Sequence, residues 1–140
     1  TPKIGVYAGS FNPFHIGHLN ILEKAERIFD KVILACGNNS EKGGSSLPVF
    51  PDKVQYRQID YFKETLVEYV QSKSYPVTII RGLRNATDMQ YELNQYRWLQ
   101  ALDKDINLVS IFCDKEFEHI SSSGIRTLEK YNKHQNYLLD

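Results

Sequence analysis

The fold is set by one stretch near the N-terminus, Gly9-Ser10-Phe11-Asn12-Pro13-Phe14-His15-Ile16-Gly17-His18. The apolar run before it, residues 3–7, is typical of a buried strand. The apolar residues after it recur at the spacing of a helix: Leu19, Ile21, Leu22, Ala25, Ile28 and Phe29. The stretch is therefore predicted to be a strand-to-helix turn. Since the first N–H groups of a helix and its dipole favour phosphate, we expect a nucleotide site here.

The side chains of this turn suit a bound phosphate group. Gly9 and Gly17 have no Cβ to obstruct a ligand, and Ser10 adds a hydroxyl group. His15 and His18 flank Gly17. A zinc site is disfavoured because no further Cys/His pair stands at ligand spacing and no H-E-x-x-H motif is present. We therefore expect no protein-held metal at this turn.

Bulk composition limits the size of the protein and its partners. With 140 residues, 41% of them hydrophobic, the chain is long enough for one ordinary core, so we expect one domain over residues 1–140. Its formal net charge is zero and its pI is about 6.8. This balance argues against nucleic acid or an anionic membrane as partner and favours a small ligand bound by locally placed cations.

Cysteine use and hydropathy indicate a reducing compartment. Cys36 and Cys113 each end an apolar run, which fits free thiols better than a disulfide scaffold. The sequence shows no signal-peptide pattern and no apolar run that approaches bilayer length. A cytoplasmic protein is therefore expected.

Strands and helices alternate along the remaining chain. Strands are predicted at 31–37, 77–84 and 107–113, a loop at 38–47, and helices at 52–72 (with a break near Asp60), from a Thr87/Gln90 capping box to about Leu102, and from Ser121 through Tyr131. This alternation predicts an α/β fold, a Rossmann-like parallel sheet flanked by helices. Neither G-x-G-x-x-G nor a Walker motif is present, so dinucleotide cofactors and Walker-type hydrolysis are disfavoured.

Two further groups of residues are predicted to face the same crevice as His18. Arg81 and Arg84 follow a β-branched strand, and ligands of open α/β sheets lie beyond the carboxyl ends of the strands. Both guanidinium groups stay charged and can bind phosphate by two parallel hydrogen bonds. The run Ser121-Ser122-Ser123 opens the last helix, which makes it a second candidate phosphate site.

These motifs carry a family resemblance. The first stretch is similar to the H-x-G-H signature of the nucleotidylyltransferase superfamily, and residues 120–126, I-S-S-S-G-I-R, are similar to its second signature. Arg81-Gly82-Leu83-Arg84, followed by Tyr91-Glu92 on the next helix, resembles the phosphopantetheine adenylyltransferases. The resemblance implies transfer of AMP from ATP to 4'-phosphopantetheine, giving dephospho-coenzyme A and pyrophosphate.

The resemblance also implies roles for individual residues. Catalytic roles fall on Ser10, His18, Lys42 and Arg84. Nucleotide contacts are implied for Gly9, Ser10, Phe11, His15, Gly17, His18, Gly82, Leu83, Arg84, Glu92, Phe117, Ile120, Ser121, Ser122 and Ser123. Acceptor contacts are implied for Ser10, Lys42, Leu66, Arg81 and Tyr91. Mg²⁺ is expected to enter with ATP, and a homo-oligomer is expected.

Trp98 is a further candidate for the acceptor site. It lies about two helical turns after Tyr91, on nearly the same face of the helix. Its indole is expected either to narrow the acceptor crevice or to pack against the helix predicted at 52–72.

The sequence departs from the family at several positions, and these departures leave alternatives open. Asn12 stands where the family usually has Asp, and Trp98-Leu99 replaces a common Met-Asn pair. The segment around 52–72 is shorter than usual, and the tail lacks the family's C-terminal helix. One alternative is nucleotidyl transfer to another small phosphate such as nicotinamide mononucleotide or glycerol 3-phosphate. The other is a non-catalytic nucleotide-binding module, which would not require Lys42.

Overall fold

A computed structural model of the chain describes residues 2–37 and 50–139. Five strands form one sheet: β1 (Ile4–Gly9), β2 (Lys31–Gly37), β3 (Ile59–Phe62), β4 (Thr78–Leu83) and β5 (Leu108–Phe112). Four α-helices accompany them: α1 (Ile16–Glu26), α2 (Leu66–Gln71), α3 (Ala86–Leu102) and α4 (Ser122–Glu129). Short 3₁₀ turns lie at Lys115–Phe117 and Gln135–Tyr137. The expected α/β fold with a parallel sheet flanked by helices is confirmed.

The order of the strands places a crevice next to the first motif. The sheet runs β3-β2-β1-β4-β5, and every neighbouring pair is parallel. The chain moves outward from β1 to β3 and then returns to the other side of β1 as β4. In open α/β sheets the crevice at such a reversal, outside the carboxyl ends of the strands, is where ligands bind.

Both faces of the central strands are buried, as in parallel sheets covered by helices. Tyr7 of β1 belongs to the cluster on the α1 side, whereas its neighbours Val6 and Ala8 belong to the cluster that includes Tyr69 of α2. β2 alternates in the same way over five consecutive buried residues. This continuous burial explains why the central strands read as unbroken apolar runs.

The helices are buried to very different degrees. α1 buries Gly17, Ile21, Leu22 and Ala25 within 11 residues. α3 buries none of its 17 residues fully, although Tyr96 and Leu99 pack partly against the sheet. The α3 face of the molecule therefore carries large apolar side chains in contact with solvent.

The helix predicted over residues 52–72 is wrong except at Leu66–Gln71, which form α2. Residues 52–56 form turns, β3 pairs with β2 from Leu34↔Ile59 to Gly37↔Phe62, and a capping box of Thr65 and Glu68 starts α2. Periodicity failed here because the apolar residues serve different clusters: Val54 packs on the α1 side of the sheet and Tyr69 on the other. The hydrogen bonds that β3 makes with the otherwise unpaired edge of β2 outweigh the local preference for a helix.

Several boundaries also differ from the prediction. Asn85 caps α3 by accepting a hydrogen bond from the Asp88 N–H at 3.0 Å, so the Thr87/Gln90 capping box does not form. The cap falls earlier because residues 86 and 87 already have helical geometry. α4 ends at Glu129 instead of reaching Tyr131, and β1 extends to Gly9. Within the described ranges, no helix is both long and apolar enough to cross a membrane.

Candidate active site

The N-terminus of α1 is built from two histidines that cap each other. His15 is the N-cap residue, and its Nδ1 accepts a hydrogen bond from the Gly17 N–H at 3.1 Å. The Nδ1 of His18 accepts from the His15 backbone N–H, also at 3.1 Å. The two rings stack with centroids 3.7 Å apart. A Cβ on Gly17 would lie 3.0 Å from the His15 ring, so any other residue here would displace that ring.

These hydrogen bonds define how each imidazole can act. Because each Nδ1 accepts a hydrogen bond, the neutral ring carries its hydrogen on Nε2. Desolvation, and then the charges of neighbouring groups, hold the pKa of His18 well below its ordinary value. Burial and the charge of Arg84 lower the pKa of His15 to about 4. At neutral pH, His18 is therefore an uncharged donor through Nε2–H.

His18 packs against the aromatic rings of Phe11 and Phe14. The Phe11 ring lies edge-on to it with centroids 5.0 Å apart, and Phe14 lies 5.2 Å away. Phe11 has a left-handed backbone, φ 48°, which is uncommon outside glycine. Its side chain is only 2% exposed, so packing stabilises this conformation. The turn therefore has a rigid apolar side beneath the histidine pair.

Arg81, on β4, is held by a carboxylate from α3. Its Nε and Nη2 donate to the two carboxylate oxygens of Glu92, each at 2.9 Å, and its Nη1 donates to the Ala8 carbonyl at 2.9 Å. The Glu92 side chain is 11% exposed. Burial by itself lowers the pKa of Arg81, but the hydrogen bonds and the charge of Glu92 outweigh it, so that the pKa is raised. Glu92 thus bonds to the arginine predicted for the acceptor side.

Arg84, just beyond β4, is held in the same way by Asp88. Nε donates to Asp88 Oδ2 at 2.9 Å and Nη2 donates to Oδ1 at 3.1 Å. Nη1 donates to the carbonyl of Ile120, immediately before the N-cap of α4, at 3.2 Å. One guanidinium group therefore connects the start of α3 to the start of α4.

The start of α4 is bonded to the first motif. Ser121 caps the helix by accepting from the Gly124 N–H, whereas the Ser122 hydroxyl donates to the Pro13 carbonyl at 2.9 Å. Arg126 donates to the Asn12 carbonyl. Because the first N–H groups of a helix have no partner within it, this first turn offers backbone donors to a ligand. The two signature motifs are thus in direct contact.

The two histidines, both arginines with their carboxylate partners and the start of α4 line one cavity of about 300 Å³ at the carboxyl end of the sheet. The predicted residues that line it are Gly9, Ser10, Phe11, His15, Gly17, His18, Arg81, Gly82, Leu83, Arg84, Tyr91, Glu92, Phe117, Ile120, Ser121 and Ser122. Ser123 is exposed and does not line it. Lys42 lies outside the described residues. The structure therefore brings most of the predicted site together.

A second, smaller cavity adjoins the first. It has a volume of about 150 Å³ and shares Arg81, Tyr91 and Glu92 with the main cavity. The predicted acceptor residue Leu66 lines it, as do Gln95, Leu99 and Leu108. Its walls are mostly apolar, which suits an extended organic group beside a phosphate.

Trp98 lies in neither cavity. Its side chain is 67% exposed, and it is Leu99, the next residue, that faces the second cavity. The alternative of core packing against a helix at 52–72 is wrong, because only residues 66–71 of that segment are helical and the indole is exposed. A role for Trp98 in acceptor binding stays a prediction.

Some lining residues were missed by sequence reasoning. They are Tyr7, Ala8, Ile21, Asp88 and Cys113 in the main cavity, and Gln95, Leu99 and Leu108 in the second. Tyr7 is inside the sheet, and burial raises the pKa of its hydroxyl, so it stays protonated. The sequence did contain a signal for an ion pair between Asp88 and Arg84, because Asp88 stands four residues after Arg84 near a helix start.

The charges of the described lining cancel. Arg81 and Arg84 face Asp88 and Glu92, and both histidines are neutral at pH 7. Among the residues at 2–37 and 50–139, no group of three His, Cys, Asp or Glu side chains could hold a metal ion. Both carboxylates of the main cavity are engaged by arginines and do not form a metal cage. A phosphate ligand must therefore rely on directed N–H groups more than on net charge.

Sequence comparison places the chain among known nucleotidylyltransferases. The cytidylyltransferase-like family model matches residues 6–128. A phosphopantetheine adenylyltransferase of Geotalea daltonii is 34% identical over 140 residues, covering 93% of this chain and 85% of that protein. One from Mycoplasma capricolum is 35% identical, covering 94% of this chain and 99% of that protein.

Solved structures share the fold at low sequence identity. A candidate nicotinate-nucleotide adenylyltransferase from Vibrio parahaemolyticus superposes with a TM-score of 0.59 and 17% identity, over 100% of this chain and 95% of that one. A bifunctional NMN adenylyltransferase/ADP ribose pyrophosphatase from Francisella tularensis gives a TM-score of 0.60 at 13% identity, over 100% of this chain and 46% of that one. At these identities the likeness shows the fold alone.

Proposed function

Because the chain belongs to the phosphopantetheine adenylyltransferase family, we propose that it transfers AMP from ATP to 4'-phosphopantetheine. The products are dephospho-coenzyme A and pyrophosphate. We propose further that residues 1–140 act as one nucleotidylyltransferase domain.

One observation carries this proposal. A neutral His18 donor, the Arg84 guanidinium and the first turn of α4 border a single cavity at the carboxyl end of the sheet. A reaction that needs directed donors and no side-chain nucleophile suits this set. Nucleotidyl transfer is such a reaction, since the acceptor phosphate itself is the nucleophile.

In this mechanism an acceptor phosphate oxygen attacks the α-phosphorus of ATP. A new P–O bond forms as the bond from the α-phosphorus to the bridging oxygen breaks, and pyrophosphate leaves with that electron pair. His18 donates its Nε2–H to a non-bridging α-phosphate oxygen, where negative charge accumulates. Its fixed tautomer supports this role, because no rearrangement is needed as the charge develops.

The leaving pyrophosphate is assigned to the α4 side of the cavity. Arg84 and the start of α4, from Ser121 to Ser123, would hold the β- and γ-phosphates. The bond from Arg84 to the Ile120 carbonyl supports a shared site, because it joins the arginine to the residue before the α4 cap.

The acceptor is assigned to the opposite side. Ser10 and Lys42 would align its phosphate, and Arg81 would contact it through the N–H groups not used by Glu92 and Ala8. The pantetheine arm would then extend past Tyr91 into the second cavity, beside Leu66. The apolar lining of that cavity supports this direction.

The remaining expectations concern metal, assembly and location. Mg²⁺ would arrive bound by the oxygens of ATP. A homo-oligomer is supported by α3, whose large exposed side chains include Leu93, Trp98 and Leu102. The two free cysteines support a cytoplasmic location.

A pyrophosphate-release assay tests the proposal. The wild-type protein is incubated with ATP or CTP and with 4'-phosphopantetheine, nicotinamide mononucleotide or glycerol 3-phosphate, and the product is identified by mass. We expect the highest kcat/KM with ATP and 4'-phosphopantetheine. Faster transfer to another acceptor would replace the assignment. Nucleotide binding without pyrophosphate release from any pair would identify a non-catalytic module.

A further inference from the structure

Asp88 makes an unusual number of bonds to a single partner. Its carboxylate accepts three hydrogen bonds from Arg84: from the backbone N–H at 3.1 Å, from Nε at 2.9 Å and from Nη2 at 3.1 Å. Its own backbone N–H donates to the Asn85 side chain, which caps α3. The carboxylate is therefore directed at Arg84, while helix capping is done by Asn85.

The bonds leave a defined part of the Arg84 guanidinium available. An arginine has five N–H donors. Asp88 takes two of them, and the Ile120 carbonyl takes a third. Two N–H groups remain, and because the plane is held from two sides their direction is fixed.

The placement of Asp88 is surprising for a site that binds a polyphosphate. It lines the main cavity, where its negative charge weakens the attraction of Arg84 for an anion. Its side chain and that of Arg84 are 23% and 36% exposed, so the pair is only partly desolvated. An ion pair that stays this accessible to solvent contributes little to stability, and Asn85 already caps α3, so a purely structural role is a weak account of this geometry.

We propose that Asp88 is a positioning residue that aims the two remaining N–H groups of Arg84 at the β- and γ-phosphates of ATP. The inference rests on the nucleotide site of the proposed function and adds a residue to it. Asp88 acts only through Arg84 and touches neither substrate.

Asp88→Asn is the variant that tests this role. The amide keeps the size of the side chain, but its NH₂ group faces a guanidinium donor, so the bidentate pair is lost. Charge-assisted hydrogen bonds are strong enough that we expect about tenfold weaker ATP binding by calorimetry. AMP, which lacks the β- and γ-phosphates, should bind as it does to wild type.

Two controls isolate the effect. In an Arg84→Ala background, Asp88→Asn should cause no further loss of ATP affinity, since the residue it positions is absent. Glu26→Gln breaks a matched bidentate pair, Arg57 with Glu26 at 2.7 and 2.9 Å, outside both cavities. It should change the melting temperature without changing either affinity.

Each other outcome overturns the inference. Tighter ATP binding in Asp88→Asn would make Asp88 a competing counterion. Unchanged affinity with a lower melting temperature would make it structural, as would equal losses for ATP and AMP. The proposed acceptor can fail separately: wild-type protein that binds ATP but does not adenylylate 4'-phosphopantetheine loses that assignment, while the affinity ratios still decide the role of Asp88.

Discussion

α1 and α3 both begin at the carboxyl edge of the sheet and both supply residues to the main cavity, yet they are held in different ways. α1 buries four residues, and its histidines are fixed by mutual capping, ring stacking and aromatic neighbours. α3 buries no residue fully, and Asp88 and Glu92 are held by ion pairs with arginines. Packing determines the geometry of one side of the site, and charge pairing that of the other.

Whether a side chain is held by packing or by charge determines whether its loss should change turnover or binding. A donor locked by packing is preorganised, so its contribution should appear mainly in the transition state. Arginines held by ion pairs offer their remaining N–H groups to a phosphate that is already charged in the ground state, so their contribution should appear mainly in binding. We therefore expect α1 variants to change turnover and variants of the α3-linked arginines to change affinity.

The largest expected effect belongs to His18→Ala. Removal of one preorganised donor should lower kcat by roughly 10²-fold or more, because its hydrogen bond strengthens as charge develops on the α-phosphate. Calorimetry with ATP should show most of the affinity retained. A fall in ATP affinity as large as the fall in kcat would make His18 a ground-state contact and remove the contrast between the two helices.

The pH dependence of stability tests how firmly α1 holds its histidines. The pKa of His15 is about 4 in the folded chain and about 6.5 when unfolded, so between these values the unfolded state binds more protons. The stability due to the neutral ring is therefore complete above pH 6.5 and is lost as pH falls toward 4. Urea denaturation should show about 1–2 kcal/mol less stability at pH 5 than at pH 7.5 from this group.

His15→Asn provides the matched control for this pH effect. Asparagine keeps an N-cap acceptor but does not titrate, so the variant should lose less stability than wild type between pH 7.5 and pH 5. Both proteins contain the same carboxylates, so the contribution of those groups cancels when the pH dependence of the unfolding free energy is compared between wild type and variant. Parallel slopes would mean that His15 is readily protonated in the folded state.

On the α3 side, Arg81→Ala should raise the KM for the acceptor about tenfold with a smaller effect on ATP, whereas Arg84→Ala should do the reverse. Steady-state kinetics with each substrate varied in turn separates the two. Arg81→Ala also leaves Glu92 unpaired at 11% exposure, so its melting temperature is measured beside the kinetics to detect the cost of the uncompensated charge. Equal effects of both arginines on nucleotide KM would contradict the two-sided assignment.

The same contrast explains what the sequence could predict. The first motif contains the histidines that cap α1, and β1 and β2 are continuous apolar runs. The local sequence pattern was therefore sufficient to predict α1 and the central strands of the sheet. The segment from Asp52 to Ser72 was misread because β3 owes its form to pairing with β2, a contact that periodicity does not contain. The spacing of Asp88 from Arg84 indicates an ion pair, but it does not show that the pair lines the cavity, since that depends on where the end of β4 places Arg84.

The smallest expected effect concerns Trp98, where the two sides of α3 can be compared at adjacent positions. Trp98 is 67% exposed and lines neither cavity, whereas Leu99 lines the second cavity. If the single chain contains the whole acceptor site, Trp98→Met should leave kcat/KM for 4'-phosphopantetheine within about twofold, as is usual for exposed positions. Leu99→Ala, the matched control, should raise the acceptor KM because it removes part of the apolar wall.

Trp98 fluorescence should then change on dilution, as an oligomer dissociates, and not on addition of acceptor with a non-hydrolysable ATP analogue. A response to acceptor, together with improved kcat/KM in Trp98→Met, would instead bring the indole into the acceptor site. That result would make α3 mobile enough on binding to turn a solvent-exposed residue toward the substrate.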